Sequence, residues 1–575
     1  MTVSPRVLTG IPGSTRLFFQ FHKNIRQYGA REDASPQQNT LVIQRALSDR
    51  GSVYVPDGLF PVSASLSAAA GATLTGYGTI RMMDSASAFA TGTPATRGMV
   101  TAAGDKVIIE GVTLDGNEAN QVHAYGADLG THVALVSFGD YGGCQVRHAT
   151  LRNCAWGILG GSCVNPRIVG NEITGITYQA VNISAAAPAN GTRGWVDDNH
   201  FATCRMHAVS LVNTDGMMVR HNTVYGDWIS AMRGDVSAAV DGVYTITHYA
   251  PAGYHDFTDV AVGHYLVVGI GTGLPVEVHV RTKVSNSVLK VVLASGSLAG
   301  APYANAPLNA GTGDLINYQD CNYGLVEGND LSGGMSAAIL PWSLSAPSVG
   351  HRIIGNTCRA QGGSPIGLQS YRATYGLRDV VVEGNSVYDG CLNDPALGTD
   401  LAGSISFYGS GEMSEVLVNG NGFYDDQGTP PASQGKALYW AIINGASITK
   451  IGFGRNLTDG QTNNGISGAL TTPVLSAEWG TAAVSLVVCN GPSYEFTITV
   501  TAGVPATGGS ITIPLKATGP ENPPHPMATI SRDGGANYDL PPLQNYPSGI
   551  TKTQHLFVWP GLPVVGAVYK VTVRA

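Results

Sequence analysis

The stretch VVEGNSVYDG (381–390) is nearly repeated as LVEGNDLSGG (325–334), with looser copies at 167–176, 195–204, 218–227, 352–361, 417–426 and 451–460. Each copy is an apolar run, a turn, an asparagine and a second apolar run. The recurring residues are Asn171, Asn199, Asn222, Asn329, Asn356, Asn385, Asn421 and Asn456, with gaps of 28, 23, 107, 27, 29, 36 and 35 residues. A repeat of about 20–50 residues built from short apolar segments marks a solenoid. The segments are too short for helices and rich in Val and Ile, so they read as strands. Asparagine at the turn tolerates the left-handed backbone region. Its amide, shut away from water, finds a partner in the asparagine stacked on the next coil. The repeat therefore predicts an all-β chain: a right-handed, single-stranded parallel β-helix.

The one long gap predicts an insertion at 236–318. Within it, DFTDVAVGHYLVVGIGTGLPVEVHVRTKVSNSVLKVVLA (256–294) alternates like several short strands. Residues 1–70 then form an N-terminal segment, 71–465 the β-helix, and 466–575 a C-terminal domain that is β-sandwich-like, because the repeat stops and Pro-bounded strands such as SYEFTITVT (493–501) follow. The 75 glycines in 575 residues and the 13% charged fraction fit a turn-rich solenoid. A net charge of −8 argues against a nucleic-acid partner. No apolar run reaches membrane-spanning length. RLFFQF (16–21) is too short for a signal peptide and no small-residue cleavage site follows it, so either export by the usual route is absent or the chain starts late. The eight cysteines show no paired metal spacing and no disulfide framework, so no metal or other cofactor is expected. Cys154, Cys204, Cys358 and Cys391 fall within coils and are expected as buried thiols.

SPQQNTLVIQRALSD (35–49) carries a helix start: Ser35 as N-cap, Pro36 at the first helical position and Gln38 where a capping box wants it. Val42, Ile43, Ala46 and Leu47 make its apolar face, suited to closing the open end of a coil stack. YGA (28–30), Asp33, NT (39–40), IQRAL (43–47), VYVPDGLF (53–60) and LTGYG (74–78) resemble the start of pectate-lyase-like β-helix proteins, among which bacteriophage tailspikes are a large group. The insertion is similar to a small β module that interrupts many phage tail proteins. The resemblance implies a polysaccharide depolymerase acting on a bacterial surface glycan, a homotrimer, attachment to a phage tail or baseplate through the N-terminus, and location in the virion or, alternatively, outside the cell.

Glycoside hydrolysis calls for two carboxylates. Aligning HAVSLVNTD (207–215) with DWISAMRGD (227–235) places Asp215 opposite Asp235, and His207 opposite Asp227. Coils stack about 4.8 Å apart. Two carboxylates at that separation repel, which leaves one as acid and one as base or nucleophile. The competing reading is a turn aspartate bonding its own backbone. His207 with Asp227 is a second candidate pair and Glu412 a further candidate acid. Gln369, Tyr371, Tyr408 and Tyr439 project from neighbouring coils as sugar-binding side chains, with Arg233 and Trp228 beside the expected acids. A polysaccharide lyase on the same fold and a spike that only binds glycan are the rivals. Sparse basic residues (Arg233, Arg372, Lys436) lean toward hydrolysis, because a lyase must neutralise an acidic sugar.

Overall fold

The computed structural model describes residues 23–424 with breaks at 49–50, 85–97, 121–132, 187–191, 227–228, 250–255, 261–264, 269–275, 296, 299–300, 311–312, 373, 375 and 392–402. Beyond 424 it describes chiefly the strands between 439 and 574.

Alternation makes the strands. In Arg167–Val169, Trp195–Asp197 and Met218–Arg220 the central Ile168, Val196 and Val219 are fully buried and their neighbours are not. These residues stack in register with Val326, Ile353, Val382 and Val418 of later coils, every pairing parallel. A 15-stranded sheet built this way is face 1 of a coil. A 22-stranded parallel sheet bends to supply the short strands after each asparagine (face 2) and the longer strands after those (face 3). The expected parallel β-helix is the fold observed, and parallel pairing extends from Lys23–Asn24 to Ile466–Gly468.

The asparagines form one continuous ladder at the corner between faces 1 and 2. Oδ1 of Asn199 accepts both the backbone N–H (3.0 Å) and Nδ2 (2.8 Å) of Asn171, and the same double bond repeats coil by coil to Asn456. From Asn171 to Asn421 the left-handed residue is the one before each asparagine, not the asparagine itself. It is Gly170, Asp198, His221, Gly328, Gly355, Gly384 and Gly420 along the column, with φ from 52° to 67°. The turn needs this conformation so that the following amide points into the stack, and glycine adopts it without a Cβ clash.

The helix Pro36–Ser48 covers the first coil. Ser35 Oγ accepts the N–H of Gln38 at 3.2 Å, as an N-cap does. Ile43, Ala46 and Leu47 are fully buried and Val42 packs against them from a half-buried position. Gln44 binds both backbone groups of Ser67, accepting its N–H at 2.7 Å and donating to its carbonyl at 2.9 Å, while Thr40 Oγ1 accepts the N–H of Ser63 at 2.8 Å. Those are edge groups of strands with no coil above them, so the helix supplies the missing hydrogen-bond partners.

The insertion is a closed antiparallel barrel of Ile229–Val236, Tyr244–His248, Tyr265–Val268, Val276–Ser285, Val288–Ser295 and Tyr303–Ala310, with its own core. Its first strand begins before the position the sequence alignment gave it. Met232 and Val236 are buried in the barrel core, and Asp235 pairs with Thr247. Face 3 therefore resumes at Ile316–Gln319, which pairs directly with His207–Val212. At the C-terminus, two four-stranded antiparallel sheets follow. No helix among the described residues is long and apolar enough to cross a membrane.

Candidate functional site

Long connections concentrate at one corner, where face 2 passes into face 3. There the chain runs from Met82 to Gly98, Asp115 to Ala134, Tyr225 through the barrel to Ile316, Tyr388 to Gly403 and Tyr424 to Tyr439 before pairing resumes. Between these stations the corner is tight: Thr150–Gly160 and Glu172–Ser184 cross it as single strands, and Cys204 is followed at once by His207. Most of the long connections of the chain therefore leave from the edge of the face 3 strip, and connections on a rigid scaffold commonly carry binding residues.

Register defines what the strip presents. Val181, Val209, Ile316, Ile339, Ile366 and Ile405 fill the core beneath it. On the opposite side of the strands one column runs Asn182, Ser210, Asn317, Leu340, and a second runs Ser184, Val212, Gln319, Trp342, Gln369, Tyr408. A third column, Trp156, Gln179, His207, stands at the corner where the strands begin, and Asp314 continues it two residues before Ile316. Hydrogen bonds tie the corner column to the outer one. Asn182 Nδ2 donates to Gln179 Oε1, and Asn317 Nδ2 donates to Asp314 Oδ2 at 3.3 Å. Asp314 Oδ1 accepts the N–H of Ala337 at 3.1 Å, and Asn317 Oδ1 accepts Trp342 Nε1 at 3.0 Å. Gln179, Asn182, His207, Ser210, Asp314 and Asn317 are all buried, so this polar ribbon lies within a recess rather than on a ridge. The barrel stands beside it: His279 meets the Tyr178 ring at 6.0 Å between centroids, and Tyr178 meets Trp156 at 4.6 Å.

Farther along the strip the rings of Trp342, Tyr371 and Tyr408 meet edge-on, 6.2 Å between centroids at both contacts, all half-buried around Gln369. Gln369, Tyr371 and Tyr408 were expected together on this surface, and the fold does bring them together. Tyr439 continues the corner column, in register with Gly403. The expected acids are not brought together. Asp215 lies half-buried on the turn after Val212 and bridges to Asn322, while Asp235 and Arg233 belong to the barrel. VSLV and ISAM share a pattern that a barrel strand and a coil strand satisfy equally, so apolar spacing does not separate them. Asp227 and Trp228 lie outside the described residues. Glu412 opens a face 1 strand, past the turn from Tyr408, where its N–H donates to the Arg372 carbonyl at 2.7 Å. It therefore does not share a face with Tyr408.

Asp314, Asn317, Gln319 and Trp342 escaped the sequence reading. Their signal was present, since HAVSLV and DLINYQ have the same apolar spacing, but the insertion separates them. Asp320 is a turn aspartate that bonds not its own backbone but that of the next coil. Its buried carboxylate accepts the N–H groups of Leu344 (2.6 Å) and Ser345 (3.1 Å) and the Ser345 hydroxyl (2.7 Å). The cysteines in the coils are buried and outside any disulfide, and burial pushes the thiols of Cys204 and Cys358 up to about 12.

Neither a protein-family model nor a curated protein matches this sequence. Among solved structures, the chain is similar to the A-module of the mannuronan C-5 epimerase AlgE6 of Azotobacter vinelandii, with 13% identity, a TM-score of 0.41, and coverage of 78% of this chain and 99% of that one. It is similar to the catalytic unit of a GH87 α-1,3-glucanase of Streptomyces thermodiastaticus, with 12% identity, a TM-score of 0.47, and coverage of 77% and 65%. It is also similar to a double mutant of the tailspike protein of E. coli bacteriophage HK620, with 10% identity, a TM-score of 0.43, and coverage of 100% and 97%.

Proposed function

We propose that this chain binds a bacterial surface polysaccharide along face 3 and depolymerises it by hydrolysis, as a tailspike-like protein of the virion that works as a homotrimer and attaches to the tail through its N-terminus. The observation that carries the reading is the strip itself. A recessed ribbon of amide, imidazole and hydroxyl groups leads into the Trp342–Tyr371–Tyr408 cluster over successive coils. Extended glycans need that combination: polar groups for the hydroxyls and ring faces or edges for the C–H surfaces. A row repeating at the coil spacing of about 4.8 Å suits a chain-like ligand better than a compact one.

Among the described residues, none of the three columns carries Lys or Arg, which favours a sugar without a carboxylate to neutralise, and hence hydrolysis. Elimination is the second reading. Asp314 is the only carboxylate in those columns among the described residues, and both its oxygens already hold hydrogen bonds, so the carboxylate pair of most glycosidases is not assembled there. Incubation with purified capsular and lipopolysaccharide glycans decides between them. New reducing ends without ultraviolet absorbance mean hydrolysis, and an unsaturated, absorbing product means elimination. Binding without new ends leaves a receptor-binding spike.

A further inference from the structure

We infer that His207 Nε2 is the proton acceptor of the cleavage step, and that a hydrogen-bonded chain through Asp314 and Asn317 to Trp342 sets its position against the aromatic end of the strip. The inference rests on the hydrolytic reading above. His207 Nδ1 lies 2.9 Å from the backbone carbonyl oxygen of Asp314. A carbonyl can only accept, so Nδ1 carries the hydrogen and the neutral ring holds its lone pair on Nε2. Among the described residues no hydrogen bond engages Nε2, and the residue keeps 9% of its surface exposed. It is a base with its tautomer already chosen.

Asp314 is held in turn at three points: its carbonyl by His207, Oδ1 by the Ala337 N–H at 3.1 Å and Oδ2 by Asn317 Nδ2 at 3.3 Å. Asn317 is anchored by Trp342 Nε1 at 3.0 Å, and the Trp342 ring meets Tyr371. The chain crosses the coils of His207, Asp314 and Trp342, linking a base at one end to a sugar platform at the other. Such support matters because small misplacements of a reacting group cost large factors in rate.

In the step, Nε2 takes one proton from a water molecule and the imidazole becomes imidazolium. The water oxygen bonds to the anomeric carbon, the glycosidic C–O bond breaks, and the departing sugar oxygen takes its proton from a second water. The imidazolium then returns its proton to solvent. His207 touches the reacting water and is catalytic in this sense, while Asp314, Asn317 and Trp342 are positioning residues.

Two experiments test the inference, and one needs no substrate. In the full chain labelled with ¹⁵N-histidine, the resonances lost in His207→Gln should show the Nδ1–H tautomer; the Nε2–H tautomer would overturn the assignment. For activity, the probe is whichever capsular or lipopolysaccharide glycan the wild type depolymerises. His207→Ala should lower kcat by about 10²–10⁴-fold, keep glycan binding within about threefold, and regain turnover on addition of free imidazole. Trp342→Phe deletes the Nε1–H and shortens the indole to a single ring, so kcat should fall roughly 10-fold while KM rises by no more than about threefold. His207→Ala turning over at the wild-type rate, or gaining nothing from imidazole, removes His207 as the base while glycan cleavage stands. If no glycan is bound or cleaved by the wild type, the hydrolytic reading falls and this assignment of the base with it.

Discussion

Replacing Asn329 by alanine should open the middle of the β-helix. Asn329 is 1% exposed; its Oδ1 accepts the backbone N–H and Nδ2 of Asn222, both at 2.9 Å. Its Nδ2 donates to the Val219 carbonyl at 3.0 Å and to Asn356 Oδ1 at 2.8 Å. Not every partner is orphaned by the change. Asn222 Nδ2 keeps the Val196 carbonyl, and Asn356 Oδ1 keeps the backbone N–H of Asn329. The Asn222 N–H loses its acceptor outright, in a place water does not reach. Four bonds lost at roughly 1 kcal/mol net each, one of them with an orphaning cost of about 1–3 kcal/mol, give about 3–5 kcal/mol once non-additivity is allowed for. Asn456, half-buried at the end of the ladder, accepts the same pair from Asn421 and donates to the Val418 carbonyl at 3.2 Å, so Asn456→Ala loses three bonds in a place water reaches and should cost about 2 kcal/mol. Hydrogen exchange resolved by peptide is the right assay, because a chain of several folded parts does not unfold in one step. Protection over 218–226 and 325–332 should drop by about 10²–10³-fold in Asn329→Ala. Equal losses for Asn329→Ala and Asn456→Ala, or wild-type protection in the former, would refute the view that the buried amides hold the coils together.

His351 is buried, and desolvation lowers its pKa to about 4 from 6.5. The unfolded chain therefore binds a proton that the folded chain refuses, and stability should fall as pH drops from about 6.5 toward 4, by about 3 kcal/mol, with His351→Leu flattening that slope. Denaturant midpoints at stepped pH check this, and a wild-type midpoint constant over that range would contradict it. Gln44→Leu should leave the Ser67 backbone groups without partners, cost about 1–2 kcal/mol and promote end-to-end association, read by light scattering. Tyr371→Ala and Tyr408→Ala should each weaken glycan retention by roughly 5–10-fold, a loss of about 1 kcal/mol of ring contact, measured on immobilised glycan. Cys204 and Cys358 should resist maleimide in the native protein and react only on unfolding, since burial keeps both as thiols.

The helix cap, the ladder and the parallel coils were legible because each is written locally. Ser35, Pro36 and the apolar face of 42–47 specify a helix whatever lies above it. The asparagine recurs at the spacing of a coil and needs a stacked copy of itself to satisfy a buried amide. The turn was read one residue off, since both glycine and asparagine tolerate positive φ and only the backbone shows that Gly328 adopts it, not Asn329. The Gln369–Tyr371–Tyr408 grouping was also legible, because two-residue alternation at a known coil spacing fixes which side chains share a face.

The fold is written in the chain: the period, the strand alternation and the inward amides admit one architecture. Which residues meet across the insertion is settled in three dimensions alone. Strand pairing in a β-helix joins segments by register, and an inserted barrel displaces the register partner along the chain without displacing it in space. Asp235 follows Asp215 by 20 residues and stands on a barrel strand paired with Thr247, while Asn322 follows Asp215 by 107 and is the residue Asp215 bridges to. Alternation is equally satisfied by either strand. The choice between them is made by which apolar face each buries, Met232 and Val236 in the barrel and Ile316 and Tyr318 in the helix.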